Sequence, residues 1–240
     1  MAALDLPVLI VGDVHGDIER LFAAMRPYPA SEWHTIFLGD LVDYGMFGVG
    51  CMRYARDRPN TEVLLGNHEV AMLSALHDPS RVGFYISIGG QKHDLDELRK
   101  DEPLQEWMNA RPLLLKLEDG TLVQHCGNDD YRMLLGEDER RSDAVGTINT
   151  NGRLVLEGGD AHLLWTVMSG KGVFATQPDR LDRWLELTGS RRVVFGHTPH
   201  HQPQPASYHD GKAINYDGGL SRVHYRRAAP LAASVGPLPP

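Results

Sequence analysis

Short apolar runs that end at once in glycine and polar side chains recur along this chain and set its grammar. Val8–Val11 is continuous and largely β-branched, which predicts a strand buried on both faces. The chain must turn at Gly12. Asp17 then reads as the N-cap of a helix whose apolar face is Ile18, Leu21, Phe22 and Met25, stopped by Pro27 and Pro29. Residues 35–38 repeat the strand, residues 49–56 the helix, Pro59 and Asn60 a turn, and residues 62–65 a third strand. Strands alternating with helices indicate an α/β sheet, in which ligands collect outside the carboxyl ends of the strands.

Residues 70–112 read as a helical insertion, either a solvated flank or a substrate-selecting cap. A short helix over 70–76 and a break at Gly89 and Gly90 precede a charged amphipathic helix over 95–108, ended by Pro112. Residues 113–117 and 121–124 form a hairpin through Glu118, Asp119 and Gly120. Residues 191–195 give another strand, and residues 213–216 and 223–225 a closing pair. From Ala228 the chain turns to Ala, Pro, Gly and Ser without a period, which predicts a disordered tail over 228–240 behind one domain of residues 1–227.

Composition narrows the class. At 240 residues and 42% hydrophobic content the chain can bury one sizeable core. A net charge of -8 argues against a nucleic-acid surface. Cys51 and Cys126 are too few for a disulfide framework and lack C-x-x-C spacing. The apolar run before Gly12 has no basic flank like that of a signal peptide, and no stretch approaches a membrane span. A soluble, cytoplasmic protein without a membrane partner is expected.

Five polar blocks follow the strands: Gly12-Asp13-Val14-His15-Gly16, residues 39–45 with Asp40 and Asp43, Gly66-Asn67-His68-Glu69, Gln124-His125-Cys126-Gly127 and Gly196-His197-Thr198-Pro199. Carboxylate, imidazole and carboxamide groups delivered to one rim, with glycines beside them, suit a two-metal hydrolytic site. Asp40 is the candidate bridging ligand, with Asp13 and His15 on the first ion and Asn67, His125 and His197 on the second. Oxygen and nitrogen donors favour manganese, iron, zinc, cobalt or nickel, with manganese the first choice for reconstitution. A hydroxide bridging the ions would attack, His68 would protonate the leaving oxygen, and Asp43 would hold the His68 tautomer.

These blocks resemble the calcineurin-like metallophosphoesterases, and within them the phosphoprotein phosphatase branch with its bacterial members. The resemblance runs from about Val8 to Arg222. It implies an α/β fold, a central β-sandwich flanked by helices in four αββα layers. It also implies two metals and hydrolysis of phosphate esters, with the metal and acid roles falling on the residues already named. Pro199 agrees, because branches with a Gly-His-x-His block use the second histidine as a ligand. Three positions depart: Tyr44 stands where the family places a phosphate-clamping arginine, Asn128 replaces the second glycine of a His-x-Gly-Gly block, and the arginine common after Leu164-Trp165 is missing.

Arg132 and Arg222 are the candidate substitutes for that arginine, and Tyr44 itself could meet substrate through its hydroxyl or its ring. The leading expectation is a phosphomonoesterase similar to serine/threonine phosphatases, acting on a phosphoprotein or a small phosphoester. A dinucleoside polyphosphate hydrolase, of the diadenosine tetraphosphate type, or another nucleotide hydrolase is the alternative. Glu69 speaks against it, since those enzymes usually carry aspartate after the histidine. A non-catalytic metal-binding scaffold is the third reading, and the presence of both His68 and Asp43 speaks against that one.

Overall fold

Alternate residues of the first strand, β1 (Val8–Val11), face two different cores in the computed structural model, which describes residues 6–136 and 143–240. Leu9 and Val11 pack outward under helices, while Ile10 packs inward with Ile36, Leu38 and Leu64 against Val123, Val194 and Ile214 of a second sheet. This period-2 split is what a strand covered on both faces produces. The layers are therefore helices, sheet, sheet, helices.

The first sheet runs β3-β2-β1-β9, from β2 (His34–Phe37), β3 (Thr61–Val63) and β9 (Val235–Pro237) around β1. The second runs β4-β5-β6-β8-β7, from β4 (Leu114–Lys116), β5 (Thr121–Cys126), β6 (Arg192–Gly196), β7 (Ala206–Tyr208) and β8 (Ala213–Asn215). β1, β2 and β3 are parallel, as are β5, β6 and β8. Both sets thus open their carboxyl ends into loops, and these loops carry the polar blocks.

In the first half lie α1 (Ile18–Met25), α2 (Gly48–Asp57), α3 (Asn67–His77), α4 (Val82–Ser87), α5 (Lys92–Leu98) and α6 (Glu102–Asn109). The second half holds α7 (Ala144–Glu157), α8 (Ala161–Val167), α9 (Val173–Thr176), α10 (Pro178–Thr188) and α11 (Arg222–Tyr225). The stretch read as a helical insertion comprises most of α3 together with α4, α5 and α6.

Three expectations are corrected. The helix predicted over 95–108 is two helices: Pro103 stands in the first turn of α6, where its missing N–H costs nothing, and Asp101 caps it by accepting from the Leu104 N–H at 3.2 Å. Residues 223–225 are helical and not a strand, because Ser221 Oγ accepts from the His224 N–H and starts α11. The tail predicted to be disordered is β9, antiparallel to β1 with Val11 opposite Val235. It supplies the hydrogen bonds that the edge of β1 would otherwise lack, Gly12 N–H to Ser234 O at 2.8 Å and Leu238 N–H to Val8 O at 2.9 Å among them.

Candidate metal centre

Asp13, His15, Asp40 and His197 are carried by loops that leave buried strands, Asn67 begins α3 and His125 lies near the end of β5, and several sit in the left-handed backbone region that non-glycine residues avoid. φ is +47° at His15, +51° at Asp40 and +63° at His197. Such conformations cost about 1–3 kcal/mol each and persist where surrounding contacts enforce them. Here the enforcing contacts are specific. Buried Glu69 accepts the N–H groups of Asp40, Leu41, Val42 and Gly66 at 2.7–3.2 Å, tying the loop after β2 to the start of α3. Glycine is required at Gly66 and Gly196, where a Cβ would stand 2.2 Å from Asp40 Oδ1 and 2.4 Å from Asp13 Oδ1.

The two aspartates are held alike. Asp13 Oδ1 accepts the His197 N–H and Asp40 Oδ1 the His68 N–H, both at 3.0 Å. Each keeps Oδ2 free for the centre. Asp40 Oδ2 stands 3.8 Å from His15 Nε2, 3.5 Å from His125 Nε2 and 4.0 Å from His68 Nε2, and Asp13 Oδ2 is 3.8 Å from His15 Nε2. His15 and His125 present their Nδ1 atoms to the carbonyls of Val42 and Leu38 at 3.1 and 2.8 Å. That partner fixes the proton on Nδ1 and leaves the Nε2 lone pair turned inward, the arrangement of metal-ligating histidines.

His125 Nε2 faces further acceptors, Asn67 Oδ1 at 2.9 Å and His197 Nδ1 at 3.2 Å. Lone pairs crowded at this spacing repel unless a cation lies among them, and bonds of about 2.0–2.2 Å to one ion would span it. Among the described residues two groups gather donor atoms within 4.8 Å of one another, His15 with Asp40 and His68, and Asp40 with His125 and His197; they share Asp40. The donor set fits divalent ions of the manganese-to-zinc kind, all oxygen and imidazole nitrogen.

Electrostatics agree. Burial, then neighbouring Asp217, pushes Asp13 well above the usual carboxylate range, and burial, then Asp13 and Glu69, does the same to Asp40. Burial followed by neighbouring histidines pushes His15 and His125 well down, and burial followed by Lys171 brings His197 to about 3. Buried carboxylates whose negative charge lacks a counter-ion, packed with neutral imidazoles, make a site that favours bound positive charge.

His68 Nδ1 is 2.6 Å from Asp43 Oδ2, and the ring is nearly buried. Tyr44 is brought to the site: its half-buried ring lies 5.1 Å from that of His15 and 3.9 Å from that of His224. The two arginines are not. Arg222 donates to Asp17 and Glu19 at 2.8–3.0 Å, pinning α11 to the start of α1. Arg132 is exposed and shares a surface depression with Asp129, Arg183 and Trp184, away from every proposed ligand.

Asn128, the second departure, is wholly buried and ties its loop to the end of α8, donating to Val167 O at 3.1 Å. Sequence reasoning missed Lys171. Its positive charge depresses the basicity of His125, His197 and His224 and favours the charged form of Asp217. The overlooked signal was its flanks, Gly170 and Gly172, which mark a tight loop. His224 and Tyr225 fall in the stretch expected to be a strand, and Asp217 falls between the expected strands, outside every polar block; Tyr225 donates to Asp217 Oδ1 at 2.8 Å beside Asp13.

Comparison with known proteins follows the same lines. A family model for calcineurin-like phosphoesterases matches residues 6–201. The chain is 35% identical over 136 residues to a serine/threonine-protein phosphatase of Caenorhabditis elegans, which is 53% of this chain and 28% of that protein. It is 30% identical over 125 residues to a symmetrical bis(5'-nucleosyl)-tetraphosphatase of Actinobacillus pleuropneumoniae, 49% of this chain and 44% of that one. The matched stretches thus span less than half of either relative. Among solved structures, a cold-active protein-tyrosine phosphatase of a psychrophilic Shewanella species superposes with a TM-score of 0.67 at 16% identity, covering 98% of this chain and 81% of that one, a likeness of fold alone.

Proposed function

The chain belongs to the calcineurin-like phosphoesterase family, and we propose that it hydrolyses phosphate monoesters with two divalent ions. The observation that carries this reading is the convergence on Asp40 Oδ2 of one imidazole from each ion's ligand set, His15 Nε2 at 3.8 Å and His125 Nε2 at 3.5 Å. Asp13 and His15 would hold one ion, Asn67, His125 and His197 the other, and Asp40 both. When bound, the ions polarise the phosphoryl oxygens and bring the pKa of water from 15.7 to about 7. His68 gives its Nε2 proton to the leaving oxygen. Asp43 holds the Nδ1 proton and stabilises the imidazolium.

Lys171 takes the part left open by Tyr44. A lysine is a flexible point charge and not a planar fork, so it attracts the phosphate without fixing its orientation. Two free, buried thiols fit a reducing, cytoplasmic setting, and no described helix is long and apolar enough to cross a membrane. A second reading, symmetrical cleavage of dinucleoside tetraphosphates, draws on the Actinobacillus relative and on the Tyr44 and His224 rings, 3.9 Å apart and tilted by 37°, which could face a base. Both readings meet in one experiment. The purified protein, reconstituted with manganese, is assayed on aryl phosphates, phosphopeptides, cyclic nucleotides and diadenosine tetraphosphate; turnover of monoesters supports the first reading, and turnover of the tetraphosphate alone replaces it with the second.

A further inference from the structure

Asp217 is a wholly buried carboxylate to which the reaction outlined above gives no part. It lies in the loop after β8, and that loop presses against the first polar block: a Cβ on Gly12 would stand 2.1 Å from Tyr216 O and 3.5 Å from the backbone nitrogen of Asp217. Asp217 Oδ1 accepts the Tyr225 hydroxyl at 2.8 Å and the Gly219 N–H at 3.2 Å. Oδ2 is buried and has no hydrogen-bond partner. Burial opposes the charge on this group; Tyr225, Gly219, Lys171 and Arg227 favour it, yet neither cation donates to it. A buried carboxylate oxygen left in this way is costly unless positive charge comes to share it.

The helix that supplies Tyr225 is fastened to the same side of the centre. Arg222 ties the start of α11 to Asp17 at 2.8 and 3.0 Å, and Ser221 Oγ donates to His15 O at 3.4 Å. The rings of His224 and Tyr225 then lie 4.4 and 6.2 Å from that of His15. After burial, Asp217 is the largest cause of the raised pKa of Asp13. Glu69, another buried carboxylate, differs in that four backbone N–H groups occupy its oxygens.

We propose that Asp217 is a positioning residue of the first ion's site: held by Tyr225 and Gly219 behind Asp13, it adds the negative charge that makes the Asp13 and His15 side bind a divalent cation tightly. The inference rests on the two-metal reading above. Two divalent ions bring more positive charge than Asp13 and Asp40 can answer, and Asp217 supplies a further carboxylate without being a ligand. Its repulsion of Asp13 destabilises the metal-free protein, and a cation relieves it.

Asp217→Asn keeps an acceptor for Tyr225 and Gly219 and removes the charge. Manganese binding to the metal-free protein is followed by titration calorimetry and by the electron paramagnetic resonance signal of a spin-coupled manganese pair, neither of which depends on turnover. The variant should bind one ion as the wild type does and the other about 10- to 100-fold more weakly, with the pair signal displaced to correspondingly higher manganese. Its metal-free thermal transition should rise, because a buried pair of like charges is gone, whereas a merely structural Asp217 would make it fall. Tyr225→Phe keeps the charge and the ring but frees one side of the carboxylate, and should weaken the same ion by a smaller factor. Should Asp217→Asn fail to fold, the titration of Tyr225→Phe decides alone. Unaltered manganese binding, equal weakening of both ions, or a lowered metal-free transition in Asp217→Asn overturns the proposal, while the two-metal reading stands on the coupled pair in the wild type. A wild type that binds no second ion removes both.

Discussion

His68 offers its two ring nitrogens to two carboxylates at different distances, Nδ1 to Asp43 Oδ2 at 2.6 Å and Nε2 to Asp40 Oδ2 at 4.0 Å. The short contact fixes the ring. The long one leaves Nε2 room to face a leaving group beside the metals. His68→Asn should therefore keep bound metal yet slow turnover by about 10²- to 10⁴-fold. The loss should be smaller for a nitrophenyl ester, which departs readily without a proton. Equal losses on nitrophenyl and alkyl esters, with metal content unchanged, would assign His68 another role.

Asp40 is the group common to both ligand clusters. Exhaustive chelation should abolish activity and manganese should restore it, and Asp40→Asn should lower activity more than the same change at Asp13. Metal analysis beside the assay is the check. Full turnover in protein shown to be free of metal would end the two-metal reading.

Metal affinity should rise with pH. Asp13 and Asp40 have their folded pKa raised, by burial first, so protons compete with the ion there to a higher pH than at free carboxylates. His15 and His125 are shifted the other way, are already neutral, and contribute no protons. Competition against a chelator at pH 6 and pH 8, with proton release read in weak buffer, measures both effects. An affinity independent of pH, or protons taken up on binding, contradicts the assignment.

The strands and the polar blocks were legible because both are local. Val8–Val11 announces a doubly covered strand by composition, and Asp13 with His15 follows within one turn. What was not legible depends on distant chain. Nothing in the Ala-rich and Pro-rich end reveals that Val235 will meet Val11, since the pairing answers an edge created by β1 and not a pattern in the tail. Arg222 looked available for phosphate because sequence shows a charge without its partners, and the partners are Asp17 and Glu19, 205 and 203 residues away. Glu69 belonged to a recognised block, yet its part in gathering four backbone N–H groups appears only when the loops after β2 and β3 meet.

The same reasoning makes the C-terminal segment structural. Ala233 and Val235 are buried, and the Arg192 guanidinium donates to the carbonyls of Pro239 and Pro240 at 2.6 and 3.2 Å. Deleting residues 229–240 would uncover the edge of β1 and the side chains beneath it. With about 1.5–3 kcal/mol for a buried valine and about 1 kcal/mol per backbone hydrogen bond lost, the unfolding midpoint should fall by on the order of 10 °C. A thermal transition unmoved by the deletion would show β9 to be dispensable.

In the proposed reading Tyr44 and Lys171 divide between them the work of one arginine. A guanidinium makes two parallel, charge-assisted bonds to phosphate oxygens, roughly twice as strong as neutral ones, whereas Tyr44 offers one hydroxyl, its pKa raised by burial and then by Asp40 and Asp43 so that it stays protonated. The charge would then rest on exposed Lys171, which lowers the basicity of His125 and His197. Lys171→Ala should raise KM for phosphomonoesters by about 3- to 30-fold, with a smaller change in kcat, as loss of one charge-assisted contact in a solvated setting implies. Tyr44→Arg should lower KM for small alkyl phosphates if the loop keeps its course, and Lys171→Ala should then cost less in that background, because the two cations would serve the same oxygens. Phosphate inhibition constants for the four proteins of this double-mutant cycle supply the measure. Additive effects, or a Lys171→Ala variant with unaltered KM, would move the phosphate-holding role to another residue.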